Sequence, residues 1–290
     1  MNKNNKKVVI IAEAGVNHNG DVNMAKQLID AAAEAKADYV KFQSFKAEKL
    51  VSKKARKADY QIENTGDKDN SQFEMLKKLE LSDQDHIELI NYCKRKKIKF
   101  FSTAFDVDGI DYLDSLNFDI FKIPSGEITN YPYLKRIAQK NKPIILSTGM
   151  SNMKEIEDAI NVLIKFGANK SDITVLHCNT EYPTPMQDVN LRAMLTIKKR
   201  FKVDIGYSDH TEGIEASLAA VALGAQIIEK HFILDKKLGG PDVEFSMDPH
   251  EFKEMVAEVR KTEQALGNSN YKLDSEDVSF LNVGAKFEFE

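Results

Sequence analysis

Val8-Val-Ile-Ile-Ala12, Met24-Ala-Lys-Gln-Leu-Ile-Asp-Ala-Ala-Ala-Glu-Ala35 and Tyr39-Val-Lys-Phe42 follow one another within 35 residues. The first and third are short β-branched and aromatic runs, and the second spaces its apolar residues as a helix does. Strand, helix and strand in that order make one unit of a parallel sheet with a helical crossover. Working outward, the strand signal returns at 99–103, 120–123, 143–147, 173–177, 203–206 and 226–231. Helical spacing returns at 83–96, 107–116, 131–139, 153–166, 190–199, 214–223 and 249–266. Ser82 before Asp83 and Asp85 marks a helix start, and Gly167 and Gly224 follow two helix ends. Eight such units in about 260 residues predict an α/β chain folded as a (β/α)8 TIM barrel, in one domain over 1–267 with a short tail at 268–290.

The composition narrows the function classes. Among 290 residues, 42% are hydrophobic and 30% charged, as in ordinary globular proteins and unlike disordered chains. A formal charge of −4 disfavours nucleic acid as a partner, since phosphate binders are normally basic. No apolar run reaches the roughly 18 residues of a membrane span or resembles a secretory signal. With Cys93 and Cys178 as the only cysteines, a disulfide framework is excluded and reduced thiols are expected. The sequence reads as a cytoplasmic globular protein. Residues 44–81 are too polar for a core element and too long for an ordinary connection, which predicts an active-site cover with a short helix near 72–78.

In such barrels chemistry gathers at the C-terminal strand ends, and here those ends are strongly polar. Lys41 and Lys122 bring positive charge, and Ser125, Ser147, Thr180 and Ser208 bring hydroxyls; together they describe a site for a small phosphate-bearing anion. Alternatively, each Lys pairs with a neighbouring Glu. Glu13 and Glu127 each follow a strand closely and are candidates for proton transfer or for bracing. His210 and His231 follow adjacent strands and can converge on one divalent metal, with water, substrate or a carboxylate such as Asp242 completing the shell. Either imidazole alone is more simply a satisfied polar residue. The six Arg, at 56, 95, 136, 192, 200 and 260, all fall off the predicted rim, so the second substrate is expected to be neutral. Phosphate-loop, dinucleotide and nucleophile-elbow motifs are lacking, which sets aside nucleotide hydrolysis, hydride transfer and esterase chemistry.

Seven ordered segments carry a resemblance. They are Ile11-Ala-Glu-Ala-Gly-Val-Asn-His-Asn-Gly20, Val40-Lys-Phe-Gln43, Phe121-Lys-Ile-Pro-Ser-Gly-Glu127, Leu146-Ser-Thr-Gly-Met150, His177-Cys-Asn-Thr-Glu-Tyr-Pro-Thr-Pro185, Gly206-Tyr-Ser-Asp-His-Thr211 and Glu229-Lys-His-Phe232. In this order they resemble the signature segments of the N-acetylneuraminate (sialic acid) synthases. The resemblance implies a metal-dependent enzyme, typically with Mn, that condenses phosphoenolpyruvate with the aldehyde of N-acetylmannosamine and releases phosphate. It places metal ligands on His210 and His231. Phosphoenolpyruvate contacts fall on Lys41, Thr103, Lys122, Ser125, Ser147, Thr180 and Ser208, and sugar contacts on Gln43, Tyr182 and Asp242. Glu13 and Glu127 match acidic positions of the family site, and Glu127 is expected to handle the water or hydroxyl proton.

Members of that family usually continue into a small antifreeze-like domain whose Arg reaches across a homodimer. That domain is expected to be absent here, because the sequence runs to Glu290 through a dissimilar tail. The nearest alternative is a legionaminic or pseudaminic acid synthase, with the same catalytic ring and a deoxy-diacetamido acceptor. A catalytically silent barrel that binds a sugar or a partner enzyme is a further alternative.

Overall fold

The structure is a computed structural model and describes residues 7–57, 62 and 71–267. Eight parallel strands alternate with helices: β1 (Val9–Gly15), β2 (Tyr39–Ser44), β3 (Lys99–Ala104), β4 (Phe121–Ile123), β5 (Ile144–Ser147), β6 (Ile173–His177), β7 (Asp204–Asp209) and β8 (Ile227–His231). Their order, β3-β2-β1-β8-β7-β6-β5-β4, is sequential around a ring, and β3 and β4 at its two ends lie against each other. This is the expected (β/α)8 barrel, nearly closed.

The main connecting helices are α1 (Val22–Glu34), α4 (Asp83–Lys96), α5 (Val107–Ser115), α6 (Tyr131–Ala138), α7 (Met153–Lys165), α8 (Arg192–Phe201), α9 (Glu215–Ala222) and α10 (Pro249–Leu266). Their starts are set by side chains. Reciprocal capping boxes close α4 through Ser82 and Asp85, α7 through Asn152 and Glu155, and α10 through Asp248 and Glu251. The helices bury apolar faces against the outside of the barrel, where Leu28, Leu89, Leu113, Leu163 and Met255 join one core with Ile10, Val40, Val175 and Ile205. No helix among the described residues is long and apolar enough to cross a membrane.

Two strands run further than hydrophobicity predicts. β1 continues past Ala12 to Gly15, and β7 past Gly206 to Asp209, because Glu13, Ser208 and Asp209 are polar yet buried and remain in the ladder. The cover also differs from the expectation of a polar segment without a core. Its described part holds α2 (Ala47–Leu50) and α3 (Gln72–Leu79), the latter capped by Ser71 at the expected place. Val16, Phe45, Met75 and Leu79, with Leu50, Leu76 and Phe105 against them, form a second small core separate from the first. Residues 58–61 and 63–70 of the cover, and the expected tail at 268–290, lie outside the described residues.

Candidate active site

The strand C-termini and the loops beyond them enclose a cavity of about 330 Å³. Parallel register decides which side chains meet in it. Glu13 stands abreast of Lys41 on one side and His231 on the other, and Ser208 stands abreast of Glu229. All the expected site residues line this cavity except Glu127, whose Oε2 accepts from Asn130 Nδ2 at 2.6 Å just past the lining Gly126.

The floor is a buried charge quartet. Lys41 Nζ lies 2.7 Å from Glu13 Oε2 and 3.6 Å from Glu229 Oε2, and Lys122 Nζ lies 2.6 Å from Glu229 Oε1. Ser208 Oγ donates to the same Glu229 oxygen at 3.0 Å, and Lys41 Nζ reaches Thr103 Oγ1 at 3.3 Å. Both lysines therefore line the cavity and are paired with Glu at once. Burial would raise Glu229, but the Lys122 and Lys41 charges overcome it and hold that carboxylate well below its usual range. For Glu13 burial wins, and its carboxyl is pushed up to about 7 against the pull of Lys41.

Just past β4, which carries Lys122, Ser125 Oγ accepts from Gly149 N at 2.9 Å. A Cβ on Gly149 would stand 2.6 Å from Thr180 Cγ2 and 2.8 Å from Ser125 Oγ, so only glycine lets the β5 loop approach these hydroxyls. Ser147 Oγ is buried with no hydrogen-bond partner, a free donor and acceptor aimed at whatever fills the cavity.

His210 and His231 converge, with ring centroids 5.5 Å apart. His210 Nδ1 lies 2.6 Å from the Asn179 carbonyl, which can only accept. Nδ1 therefore carries the proton and Nε2 presents a lone pair. Buried His231 Nδ1 has no hydrogen-bond partner and faces Asp242 Oδ2 at 3.7 Å. Burial pushes His210 down to about 4 and holds His231 well below its usual range, aided there by His210, so both imidazoles are neutral. Neutral rings with an open lone pair and an orphaned nitrogen suit a divalent cation. Among the described residues no group of three His, Cys, Asp or Glu gathers to hold one, so these two rings fit as a partial shell.

Two walls were not assigned from sequence. Phe245 packs on Tyr182 at 4.7 Å and on His231 at 4.8 Å, boxing in the imidazoles. It comes from a loop without periodicity, so no local signal marks it. The other wall is apolar and consists of Val16, Met75, Leu76, Leu79 and Phe105. The helical spacing near 72–78 was legible, but which cavity its apolar face meets was not. Glu229 heads one of the quoted segments, and its bridging of Lys41 and Lys122 needed the closed barrel.

A model of the NeuB family matches residues 28–271. The chain belongs to the NeuB family. Among NeuB-type relatives, it is 55% identical to an N,N'-diacetyllegionaminic acid synthase of Campylobacter jejuni, over 97% of this chain and 84% of that one. It is 50% identical to one of Legionella pneumophila, over 91% and 74%. Its fold is similar to that of an N-acetylneuraminic acid synthetase from Leptospira borgpetersenii, with a TM-score of 0.84 and 35% identity over 96% and 92% of the two chains. As a NeuB-family synthase, the chain is a phosphoenolpyruvate-dependent, carbon–carbon bond-forming transferase.

Proposed function

We propose that this synthase condenses phosphoenolpyruvate with a deoxy-diacetamido amino-sugar aldehyde, forming an N,N'-diacetyllegionaminate-type acid and releasing phosphate. The observation that carries this is similarity across nearly the whole chain to two proteins named for that product. It favours the deoxy-diacetamido alternative over the N-acetylmannosamine acceptor. The apolar wall supports the same choice. A methyl group loses nothing against Met75, Leu79 and Phe105, whereas a sugar hydroxyl placed there would give up water without a partner.

In this reading Lys41, Lys122, Thr103, Ser125, Ser147, Thr180 and Ser208 hold the carboxylate and phosphate of phosphoenolpyruvate. Gln43, Tyr182 and Asp242 orient the acceptor. A divalent cation, Mn2+ in the first instance, fits at His210 and His231 and when bound supplies Lewis-acid polarisation of an aldehyde. C3 of phosphoenolpyruvate forms the new bond to the aldehyde carbon, whose π pair moves onto its oxygen and takes a proton. Water adds to C2 and gives up one proton, and the C2–O bond to phosphate then breaks, its electron pair leaving with the phosphate, which takes up the remaining hydroxyl proton as the C2 oxygen becomes the carbonyl of the keto acid. Glu13, inside the cavity, is the better placed carboxyl for moving these protons; Glu127 stands at its edge. A homodimer and a cytoplasmic location belong to the same reading.

The test is to incubate the protein with phosphoenolpyruvate, Mn2+ and a panel of amino sugars, following phosphate and identifying the product by mass. Turnover is expected with the deoxy-diacetamido sugar. Faster turnover with N-acetylmannosamine makes it a sialic acid synthase, and no phosphate release with any sugar overturns the reading.

A further inference from the structure

The ladder between β7 and β8 ends at the pair Asp209–Lys230. His231 is still held in register, by Glu13 on β1. His210 is one residue past the end of its own strand, where no ladder bond ties it to β8. Something else must set the spacing between the two imidazoles.

Behind the cavity, on the helix side of the barrel, Lys230, Asp209, Thr211 and Ser217 are fully buried. Lys230 Nζ lies 3.2 Å from Asp209 Oδ1 and donates to the Thr211 carbonyl. Asp209 Oδ1 accepts from Thr211 N at 2.9 Å and Thr211 Oγ1 at 2.7 Å, while Oδ2 accepts from Ser217 Oγ on α9 at 2.6 Å. A buried ion pair rarely stabilises a fold better than apolar residues of the same shape, so stability alone is a poor reason for this one. Its geometry supplies another. The ammonium grips residues 209 and 211, on both sides of His210, from the residue preceding His231.

We propose that Lys230, Asp209 and Thr211 form a positioning clamp that sets the separation of His210 and His231, and through it the affinity for a divalent cation. Of the other restraints on His210, its Nδ1 to the Asn179 carbonyl and Thr184 N to its own carbonyl at 2.8 Å do not reach β8, whereas Ser208 Oγ, 3.5 Å from its Nε2 and bonded to Glu229, and Phe245, packed on both imidazoles, do so only through side chains on the cavity side. The clamp extends the β7–β8 connection one residue beyond the ladder.

The inference rests on the reading that these two imidazoles hold the cation. The test uses the full chain, stripped of metal. Mn2+ affinity is read from the resonance of the free ion, phosphoenolpyruvate binding without metal by calorimetry, and folding by urea denaturation. In the double variant Lys230→Met with Asp209→Asn, Mn2+ affinity is expected to fall about tenfold or more, as for other supports of metal ligands, while phosphoenolpyruvate affinity stays within about twofold. A folded double variant whose Mn2+ affinity drops less than about threefold, or which loses both ligands alike, overturns the clamp. Should it fail to fold, Lys230→Gln, which keeps a donor but shortens the reach to Asp209 and the Thr211 carbonyl, is judged by the same threshold. A parent protein that binds no Mn2+ overturns the metal reading itself and the clamp with it, an outcome distinct from a parent and variant that bind equally.

Discussion

Lys122 Nζ and Glu229 Oε1 meet at 2.6 Å across the barrel floor, joining β4 to β8 at the buried base of the cavity. Removing one member of such a pair leaves the other charged and unpaired. Glu229→Gln is expected to lose about 3 kcal/mol of stability. Because an anionic ligand can replace the lost carboxylate beside Lys41 and Lys122, phosphoenolpyruvate should raise the melting temperature of the variant more than that of the parent. Equal shifts would show that the anion does not bind at this quartet.

The two candidate acids separate by position. Glu13→Gln is expected to lower kcat by about 100-fold or more, the usual effect of removing a general acid or base. Glu127→Gln should stay within about tenfold of the parent, since that carboxylate lies outside the lining and binds Asn130. Phosphate release at saturating substrates measures both, and the reverse ranking would move the proton-transfer role to Glu127.

The apolar wall makes a prediction about substrate choice. Met75→Gln should raise the KM for the deoxy-diacetamido acceptor about tenfold, the scale on which a hydrophobic pocket discriminates, with the KM for phosphoenolpyruvate unchanged. The same variant should narrow the gap to N-acetylmannosamine, whose hydroxyls gain a partner. A proportionate rise in both sugar KM values would mean that Met75 supports the cover without choosing the acceptor.

Buried His18 ties stability to pH. Burial pushes it down to about 4 from an ordinary 6.5. The unfolded chain therefore binds this proton near 6.5 while the folded chain refuses it until about 4. Its contribution is complete above 6.5 and shrinks as pH falls from 6.5 towards 4, by about 2 kcal/mol at pH 5. His18→Asn keeps an acceptor for Gly20 N, which His18 Nδ1 meets at 3.0 Å, and cannot titrate. Urea denaturation at pH 7.5 and pH 5 should show the variant losing less stability than the parent on acidification. An identical loss would assign the acid sensitivity elsewhere, to buried His86 for example.

Tyr133 closes the outer layer over β3, its hydroxyl donating to the Ala104 carbonyl at 2.7 Å within the core. Tyr133→Phe leaves that carbonyl unsatisfied and should cost about 1–3 kcal/mol. As Ala104 precedes the wall residue Phe105, a shift in acceptor KM is expected with the stability loss. Stability measured by denaturation within error of the parent would show that water replaces the hydroxyl.

Much of the barrel was legible because strands and helices write different periods into the chain, and β2, α4, β6 and α10 lie within two residues of where hydrophobicity puts them. The polar ends of β1 and β7 were under-read for the same reason: a buried Glu13 or Asp209 looks to hydropathy like the beginning of a loop. Lys41, His210 and His231 could be named in advance because strand ends converge in this fold. Their partners could not. Glu229 pairs with a lysine 107 residues away, and Phe245 reaches the imidazoles from a loop that carries no pattern.

The sequence by itself determined the element order, the (β/α)8 class, the NeuB-type motifs and the strand ends on which the chemistry falls, because these depend on local period and on residue identity. Only the tertiary structure decided that Lys41 and Lys122 share Glu229, that α3 turns an apolar face to the cavity and that Lys230 grips the segment around His210. Those relations depend on register and closure. A shift of one residue would exchange Glu229 for Lys230 between the inside of the barrel and the helix layer, and no local stretch of sequence encodes that choice.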